Sequence, residues 1–443
     1  MKKIAALTLG CKVNEYDTQA MLNIFTNRGY EITKFEEYAD IYLINTCTVT
    51  NLSDKKSRQM IRRAKAKNPD SIVIAAGCYS QVSPEEVAEI EGVNIVLGTK
   101  DRHKIVVLVQ NFEDSADRET IINVENNKYE KVFEELEVES ANARTRAFLK
   151  IQEGCNEFCT YCIIPYARGR NRSREFSKII EEAQRFANGG FKEIVLTGIH
   201  IASYGADNGH TRGGSSSKRS EGSQLIDVIR EVHKIEGIER IRLSSVEPKV
   251  ITDEFIEEIK KLHKICDHFH LSLQSGCDRI LKLMNRKYSK DEFREAVKKI
   301  RTAFPNVAIT TDIIVGFPGE TEEDFIETYN FAEEINFADI HIFPYAAKKG
   351  TKSYDFPDRL TKSEKQARVQ KLIKLCDIQV EQFREKFVGK KMAVLFETEN
   401  SGYTTNYIKM SIEGICEANA GSTGNLTNLT KEILICKQQN YHT

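Results

Sequence analysis

The chain has 443 residues, and a prior of about 150 residues per domain predicts roughly three domains. Hydrophobic residues make up 40% and charged residues 29%, which excludes a disordered protein, a collagen-like chain and a disulfide-dense mini-protein. Lys and Arg total 64 against 65 Asp and Glu, so the overall charge does not indicate nucleic-acid binding, and any RNA-binding surface must be a local patch.

Residues 1–115 alternate buried-strand patterns with helical ones. The strand patterns are residues 4–9, 41–45 and 72–76, and the helical patterns between them are residues 18–28 and 55–67. Strand followed by helix, repeated, predicts a parallel sheet covered by crossover helices. Residues 116–140 are rich in Asp and Glu, and we interpret them as a domain connection that contains an extra hairpin.

Six further strand patterns lie within residues 141–371: residues 148–153, 193–198, 240–246, 268–274, 308–315 and 338–344. Amphipathic helical patterns separate them, for example residues 178–187, 253–263, 290–303 and 322–334. Successive βα units predict an incomplete (β/α)6 barrel, so the fold class is α/β. The stretch 205–222 is rich in Gly and Ser, which is typical of a mobile surface loop.

The pattern changes again near the carboxyl terminus. A long charged helix is predicted over residues 362–387, followed by alternating strands at 391–397, 403–410 and 432–436. These predict a small β-barrel within residues 374–440. The longest aliphatic run of the chain, residues 105–109, is far below the roughly 20 residues of a membrane-spanning helix, so we expect no membrane association.

Eleven cysteines are many for a chain of this size, and an odd number cannot all pair in internal disulfides. The charged composition favours a reducing cytoplasm, where grouped cysteines bind metal or take part in chemistry. Two groups stand out, which we name the barrel trio (Cys155, Cys159 and Cys162) and the sheet trio (Cys11, Cys47 and Cys78). The other five are expected to be small buried hydrophobic residues: Cys266, Cys277, Cys376, Cys416 and Cys436.

The barrel trio follows the pattern C-x3-C-x2-C just after the first barrel strand. A structural zinc closes its shell with four protein ligands, and the next histidine along the chain is His200. Three thiolates without a nearby fourth ligand favour a [4Fe-4S] cluster with one open iron, which can chelate a small molecule. A zinc knuckle or buried thiols are the alternatives.

Each cysteine of the sheet trio directly follows a buried-strand pattern. Parallel strands bring their carboxyl ends to one edge of the sheet, where α/β sheets bind ligands. Gly10 and Gly77 precede two of the cysteines and allow the backbone to approach a bulky group closely. We therefore expect a second iron–sulfur site at this edge.

Two basic features suggest contacts with RNA. Lys55, Arg58, Arg62 and Lys65 share one face of a predicted helix, for which phosphate contact and a solvated surface are the competing interpretations. Arg168, Arg170, Arg172 and Arg174 alternate just beyond the barrel trio. Their planar guanidinium groups suit phosphate or carboxylate, so we expect a role in RNA binding or in the active site.

These motifs resemble a known family. The barrel trio with Tyr161 matches the C-x3-C-x-aromatic-C motif of radical S-adenosylmethionine enzymes. A three-cysteine sheet before such a barrel, together with TLGCKVNEYDTQ, FCTYCIIPYARGRNRSR, LSLQSGC and TDIIVGFPGET, resembles the methylthiotransferases. The resemblance is greatest to the bacterial tRNA branch, which modifies N6-threonylcarbamoyladenosine at position 37. It implies a carboxyl-terminal β-barrel of the TRAM type.

The resemblance also implies a mechanism and its partners. S-adenosylmethionine would bind the barrel-trio cluster and yield a radical that removes a hydrogen from adenine C2. The sheet-trio cluster would present the sulfur, and a second S-adenosylmethionine would methylate it. The implied partners are the anticodon stem-loop of tRNA, an electron donor such as a flavodoxin or ferredoxin, and a sulfur source, all in the cytoplasm.

Further contacts are expected from the same resemblance, with no catalytic residue beyond the cluster ligands. Thr197 and Gly198 would bind the amino group of S-adenosylmethionine, Glu247 its methionine part and Gln274 its ribose. The residues expected around the cofactor's remaining surface are Tyr161, Val315, Gly316 and Phe317. Tyr403, Tyr407 and Lys409 would contact RNA by stacking or through phosphate.

Three alternatives remain at this point. The same chemistry could act on N6-isopentenyladenosine-37 in tRNA, or on an aspartate of a ribosomal protein. A non-enzymatic reading is an iron–sulfur regulator that binds RNA through the carboxyl-terminal barrel. A regulator does not need a buried barrel mouth, and the six predicted βα units therefore disfavour it.

Overall fold

The computed structural model describes residues 1–138, 145–207, 223–357, 360–411 and 429–435. Most of the predicted loop at 205–222 lies outside the described residues, as do Cys416 and Cys436. In the described part of the chain, no helix is both long enough and apolar enough to cross a membrane.

The amino-terminal region is a six-stranded sheet in the order β2-β1-β3-β4-β5-β6, with every pair parallel. Its strands are β1 (Lys3–Thr8), β2 (Glu31–Thr33), β3 (Ile41–Thr46), β4 (Ile72–Gly77), β5 (Ile95–Leu97) and β6 (Ile121–Asn123). Its helices are α1 (Lys12–Thr26), α2 (Asn51–Lys67), α3 (Cys78–Val82), α4 (Pro84–Ala88) and α5 (Ile105–Asp114). The predicted parallel sheet is confirmed.

One prediction for this region is wrong. Residues 116–140 form no hairpin in their described part, because β6 runs parallel to β5 and extends the amino-terminal sheet. The crossover through α5 returns the chain to the same edge, and a crossover connection gives a parallel strand rather than a hairpin. The sheet therefore continues beyond the expected boundary at residue 115.

The central region is built from eight strands: β7 (Arg146–Lys150), β8 (Gln152–Glu153), β9 (Arg172–Ser173), β10 (Glu193–Thr197), β11 (Arg240–Leu243), β12 (His268–His270), β13 (Ala308–Val315) and β14 (Asp339–Pro344). Its helices are α6 (Ile164–Arg168), α7 (Phe176–Asn188), α8 (Ser223–Lys234), α9 (Asp253–Ile259), α10 (Asp278–Leu283), α11 (Lys290–Ala303) and α12 (Glu322–Ile335). The short strands β8 and β9 pair antiparallel beside the barrel trio.

Six of these strands run parallel in chain order, β7-β10-β11-β12-β13-β14. Isolated parallel bridges, Ile241 with Ile265 and Val246 with Leu271, join β11 to the β12 side. Within the described residues β7 and β14 do not pair with each other, so the barrel is open along one side. This arrangement confirms the predicted incomplete (β/α)6 barrel.

The inner face of the barrel is polar. Ile309, Ile313 and Val315 of β13 pack in the main apolar core with the surrounding helices, so alternation turns Thr310 and Asp312 toward the lumen. The same alternation on the other strands places further polar residues there: Arg146, Lys150, Glu193, Thr197, Arg240, Arg242, His268, His270 and His341. Closed barrels ordinarily fill this space with layers of apolar side chains.

The carboxyl-terminal region begins with α13 (Lys362–Glu385) and continues as an antiparallel sheet in the order β17-β16-β15-β18. Its strands are β15 (Lys391–Phe396), β16 (Ser401–Thr404), β17 (Lys409–Ser411) and β18 (Thr430–Leu434). The single strand predicted over 403–410 is wrong, because the chain reverses at Tyr407, whose φ is +68°. The described residues form a four-stranded sheet, and closure into a TRAM-type barrel stays a prediction.

Candidate functional site

The barrel trio lies in the connection between β8 and β9, before helix α6. Gly154 has a φ of +71°, and a Cβ placed there would fall 1.9 Å from the Arg170 carbonyl oxygen. The Cys155 N–H donates to the Gly169 carbonyl oxygen at 3.1 Å, which closes the loop on itself. Only glycine permits this approach at position 154, and the loop therefore holds the trio at the carboxyl end of the barrel.

The sheet trio lies at the carboxyl edge of the amino-terminal sheet, as predicted. Cys11 immediately precedes α1, Cys47 follows β3, and Cys78 is the first residue of α3. Gly10 has a φ of +99°, and a Cβ there would lie 2.8 Å from the Cys47 Sγ. The absence of a side chain at position 10 thus leaves room for the neighbouring sulfur.

Burial favours the protonated form of three of these thiols, Cys47, Cys78 and Cys155, when no metal is bound. It raises the pKa of Cys78 and of Cys155 to about 12, and it raises the pKa of Cys47 as well. Metal ligation requires thiolates, so binding of a metal centre must release protons. The two trios therefore suit a centre positive enough to displace those protons.

The spacing of the sulfurs bears on the zinc alternative. With zinc–sulfur bonds of about 2.3 Å, thiolates around a tetrahedral zinc lie about 3.8 Å apart. In the described part of the chain, the one set of three potential ligand atoms within 4.8 Å of one another is at His270, Asp312 and His341. Neither trio has its three sulfurs within 4.8 Å of one another, which disfavours the zinc alternative.

Arg168 connects the two trios. It lies six residues after the last cysteine of the barrel trio, and its Nε donates to the Cys78 Sγ of the sheet trio at 3.3 Å. Its Nη1 lies 2.9 Å from Asp17 and 2.7 Å from Glu153. Helix α3, which begins at Cys78, also packs against α6, which follows the barrel trio. The structure thus brings the two predicted trios to one junction between two domains.

A network of buried charges holds this junction, and we name it the junction network. It joins three cations to three carboxylates: Arg102, Lys150 and Arg168 to Asp17, Glu134 and Glu153. Burial alone would raise the pKa of Glu153, yet the charges of Arg168, Lys150 and Arg102 hold it well below its usual range. Because the network is balanced in charge, the buried ions compensate one another.

A second arginine, Arg286, contacts the barrel trio. Arg286 donates to the Cys159 Sγ at 3.3 Å and lies 2.8 Å from the Glu247 carboxylate. His200 lies 3.5 Å from the other oxygen of Glu247. Burial would raise the pKa of Glu247, but His200 and Arg286 outweigh it and lower that pKa to about 2. An ionised carboxylate therefore stands beside the barrel trio, as the predicted role of Glu247 requires.

Three other expected cofactor contacts lie at strand ends around this mouth. The Thr197 carbonyl oxygen accepts from the Ile151 N–H at 2.9 Å. A Cβ at Gly198 would fall 2.9 Å from the Gln152 Oε1, so this turn requires glycine. Gln274 is buried with a φ of +70°, and its N–H bonds to the neighbouring strand β13. Their roles stay predictions.

The expected contacts from residues 315–317 need correction. The Val315 side chain packs in the main apolar core, and Phe317 is fully buried in a separate apolar cluster against which Tyr161 also packs. The Gly316 N–H is bonded to the Glu320 carboxylate at 3.0 Å. The side chains of Val315 and Phe317 are therefore turned into apolar packing rather than toward a cofactor, and contacts through the backbone of residues 315–317 stay a prediction.

Three of the four alternating arginines are buried, and for Arg168 the contact with Cys78 supports the active-site alternative rather than contact with RNA. Arg168, Arg172 and Arg174 are 1%, 5% and 2% exposed. Arg172 donates to the Arg168 carbonyl oxygen at 3.0 Å, and Arg174 pairs with Glu182. Their guanidinium groups are buried and bonded to other groups of the protein, so the prediction that they contact RNA is wrong. Arg170 is exposed, and its RNA contact stays a prediction.

The basic helix α2 divides into two parts. Lys55 and Arg62 are exposed, and phosphate contact stays a prediction for both. Arg58 instead donates to the Tyr79 hydroxyl at 2.7 Å, and Lys65 donates to a backbone carbonyl oxygen at 2.6 Å. These two side chains are engaged within the domain, which leaves a smaller basic patch than the sequence suggested.

The aromatic residues of the carboxyl-terminal sheet pack onto the barrel. Tyr403 and Tyr407 stack with ring centroids 4.8 Å apart, and the Arg242 guanidinium lies 4.5 Å from the Tyr407 ring. Arg146 donates to the Tyr407 hydroxyl at 3.2 Å. Because protein groups stack against these rings, the structure argues against their stacking on RNA bases, and any RNA contact of theirs stays a prediction. Lys409 is exposed, and its contact stays a prediction.

Lys12 was not singled out from the sequence. It directly follows Cys11, and its side chain stays in contact with solvent although protein surrounds it, as expected for a group lining an open cavity. Burial, followed by the positive charges of Arg242 and Arg146, lowers the pKa of Lys12 to about 8. Its position next to a cysteine of the sheet trio was the available signal.

A cluster of polar side chains inside the lumen was also missed. The His270 Nε2 lies 3.1 Å from the Asp312 Oδ2, and the His270 and His341 rings stack with centroids 5.7 Å apart. The Thr310 hydroxyl holds the other ring nitrogen of His270 at 3.0 Å. Polar residues at alternate positions of predicted buried strands were the available signal.

Comparison with known proteins matches both halves of this site. The Radical SAM superfamily profile matches residues 149–332, and the profile of Uncharacterized protein family UPF0004 matches residues 3–98. Each match contains one cysteine trio. Among solved structures, the radical S-adenosylmethionine methyltransferase TsrM from Kitasatospora setae, with cobalamin and a [4Fe-4S] cluster bound, has a TM-score of 0.56 at 14% identity, covering 80% of this chain and 77% of that chain.

Two relatives extend over nearly the whole chain. Threonylcarbamoyladenosine tRNA methylthiotransferase MtaB of Bacillus subtilis (strain 168) is 44% identical over 423 residues, covering 94% of this chain and 91% of the relative. The tRNA-2-methylthio-N(6)-dimethylallyladenosine synthase of Clostridium tetani (strain Massachusetts / E88) is 38% identical, covering 89% of this chain and 85% of the relative.

Proposed function

The chain belongs to the radical S-adenosylmethionine methylthiotransferases, and we propose that it inserts sulfur at C2 of N6-threonylcarbamoyladenosine-37 in tRNA and methylates that sulfur. The junction of the two trios through Arg168 is the observation that carries this proposal. The MtaB of Bacillus subtilis, at 44% identity, carries the threonylcarbamoyladenosine tRNA methylthiotransferase activity in its name.

The barrel trio would hold one [4Fe-4S] cluster and leave one iron open for the amino and carboxylate groups of S-adenosylmethionine. When bound, this pair supplies the radical chemistry that activates an adenine C–H bond lacking an acidic proton. The chain's own residues orient and tune it. Arg286 donates to the Cys159 sulfur, and the ionised Glu247 offers a negative charge for the cofactor's ammonium group.

The sheet trio would hold the second [4Fe-4S] cluster. Arg168 donates to the Cys78 sulfur, which stabilises its thiolate form and ties the cluster edge to the barrel loop. The buried ion pairs of Arg168 with Asp17 and Glu153 hold the loop of the barrel trio against the sheet that carries the other trio. Both sites would therefore act on one adenine without releasing it.

The domain organisation and partners form part of the same proposal. We assign residues 1–115 with β6 to the sulfur-bearing domain, 141–371 to the radical domain and 374–440 to a third, RNA-associated domain. Lys55, Arg62, Arg170 and Lys409 are the exposed cations proposed to contact the anticodon stem-loop. An electron donor such as a flavodoxin or ferredoxin and a sulfur source complete the reaction in the cytoplasm.

Mass spectrometry of tRNA nucleosides tests the proposal. A strain that lacks the gene is expected to lose 2-methylthio-N6-threonylcarbamoyladenosine and to accumulate its unthiolated precursor. Unchanged methylthiolation of this nucleoside would contradict the proposal. Loss of the isopentenyladenosine derivative or of the ribosomal aspartate modification would instead support one of the other two substrates.

A second measurement excludes the non-enzymatic regulator. The anaerobically reconstituted and reduced protein is expected to cleave S-adenosylmethionine to 5′-deoxyadenosine. Absence of this product from a protein with intact clusters would favour the regulator.

A further inference from the structure

One part of the barrel's lumen wall is built for a polar ligand. His270, Asp312 and His341, on three neighbouring strands, each bring one polar atom within 4.8 Å of the other two. His270 is oriented by Thr310 on one ring nitrogen and by Asp312 on the other. Such a wall offers hydrogen bonds and little apolar surface, so an apolar group placed against it would leave these polar atoms without water or partner.

Lys12 adds a positive charge to the same lumen, where it lies near enough to Glu193 and His268 for their charges to interact. It is the first residue of α1 and follows Cys11 of the sheet trio, so its stem starts where the sulfur would be presented. Its side chain is exposed, and within the described residues no ion pair holds its ammonium group. Glu193, the lumen carboxylate that acts on it, is already paired with Arg242 at 2.8 Å and with Arg146 at 2.9 Å.

We propose that Lys12 selects the substrate by pairing its ammonium group with the free carboxylate of the threonylcarbamoyl tail. This inference rests on the proposed function and adds to it a specificity-determining residue. The tail of N6-threonylcarbamoyladenosine carries a carboxylate, a hydroxyl and a urea-like linkage, all of them polar. The dimethylallyl tail named for the Clostridium tetani relative is a branched hydrocarbon.

The two tails differ most in whether they give the Lys12 ammonium group a hydrogen-bond partner. A bound carboxylate replaces the water that the ammonium group loses when tRNA closes the cavity, and a charge-assisted hydrogen bond results. A hydrocarbon tail would remove the same water and leave the ammonium group without a partner. One lysine therefore favours the charged tail and also rejects the apolar one.

A double-change cycle tests this pairing by removing the charge of Lys12 in the protein and the charge of the threonyl carboxylate in the substrate. Wild type and Lys12→Gln are compared on tRNA bearing N6-threonylcarbamoyladenosine and on the same tRNA with its threonyl carboxylate methylated, with kcat/KM for methylthiolation as the readout. Wild type is expected to prefer the free carboxylate by about 10- to 100-fold. Lys12→Gln is expected to lose most of that preference, and Lys12→Arg to retain it.

Equal loss on both substrates in Lys12→Gln, with the preference unchanged, would overturn the inference. The control Lys178→Gln removes an exposed lysine of α7 that pairs with Glu181 and is expected to behave as wild type. Iron content and 5′-deoxyadenosine formation are measured on each variant. If Lys12→Gln loses iron, the test uses Lys12→Arg instead. Retained preference of Lys12→Arg for the free carboxylate over the methyl ester supports the pairing, because a purely structural lysine would not make activity depend on substrate charge.

The design separates this inference from the proposed function. A wild-type protein that leaves N6-threonylcarbamoyladenosine tRNA unmodified would contradict the proposed function and the inference with it. A wild-type protein that methylthiolates the acid and the methyl ester equally well would contradict only the role of Lys12.

Discussion

The two ends of the barrel use the same kind of pairing, a buried arginine against a buried carboxylate, with different consequences. At the amino end, Arg242 bonds to both oxygens of Glu193 and to a backbone carbonyl of the carboxyl-terminal sheet, and Tyr407 covers its face. At the carboxyl end, Arg168 bonds to Asp17 and Glu153, but it also reaches a cysteine sulfur.

The comparison shows that burial of a charge does not identify a functional site. At the amino end every partner is structural, and the pairing attaches the third domain to the barrel. At the carboxyl end one partner is a potential metal ligand, and the pairing sets the relation between two reactive groups. The chemistry of the partner, rather than the buried charge, distinguishes the two ends.

The largest expected effect comes from removing the ligands at the carboxyl end. The anaerobically reconstituted wild type is expected to hold about eight irons per chain, since each trio suits one four-iron cluster. Cys155→Ala with Cys159→Ala and Cys162→Ala should leave about four and abolish cleavage of S-adenosylmethionine. Replacement of the sheet trio by alanine should also leave about four, yet retain cleavage while abolishing methylthiolation. Zinc in place of iron at either trio would contradict the assignment of a four-iron cluster to that trio.

Arg168→Met is expected to have the next largest effect. It leaves the buried carboxylates of the junction network one cation short, which should lower the free energy of unfolding by about 3–5 kcal/mol. The iron content of the sheet trio should fall with it, because the arginine contacts Cys78. Chemical denaturation and iron analysis measure both quantities.

Arg170→Met provides the matched control for Arg168→Met, because Arg170 is exposed two residues away. It should change neither the stability nor the iron content. Full iron occupancy in Arg168→Met would contradict the role assigned to the carboxyl-end pairing.

Tyr407→Ala probes the amino end. Loss of its stacking and of its contact with Arg242 should lower the free energy of unfolding by about 1–2 kcal/mol. The iron content and S-adenosylmethionine cleavage should stay at wild-type levels, as should the affinity for tRNA, because the ring is stacked against Tyr403 and the Arg242 guanidinium. A fall in tRNA affinity without a fall in stability would restore the stacking role that the structure argues against.

The smallest expected effects are on the exposed face of α2. Lys55→Gln and Arg62→Gln should each weaken tRNA binding severalfold and reduce the dependence of log K on log salt by about one unit. Titrations at several salt concentrations measure this slope. Lys65→Gln is the internal comparison, and it should leave the slope unchanged because its ammonium group is bonded to a carbonyl oxygen.

Much of the fold could be predicted from local sequence signals. Helix α11 occupies the predicted residues because Ser289 and Glu292 form a reciprocal cap at its start, and β13 matches its predicted limits because its residues are almost all buried. The turn at Tyr407 was missed because a left-handed tyrosine has no sequence signature. The short strand β6 was missed because it has only three residues.

The site was predictable where one residue type carries the chemistry. The cysteine trios were found because thiolates at fixed spacings, or at successive strand ends, have few structural explanations. An active-site role was one of the two alternatives predicted for Arg168, but its partners Cys78 and Asp17 were not predictable, because they are 90 and 151 residues away. Lys12 was overlooked for a similar reason, since only the closed domain junction shows that its side chain enters the barrel lumen.

Crystals of the anaerobically reconstituted wild type, measured at the iron absorption edge, would locate the iron at each trio. We expect two four-iron sites, one on each trio, that face a single cavity between the amino-terminal sheet and the barrel. An iron signal at only one trio, or two sites that open to opposite sides of the molecule, would contradict this expectation.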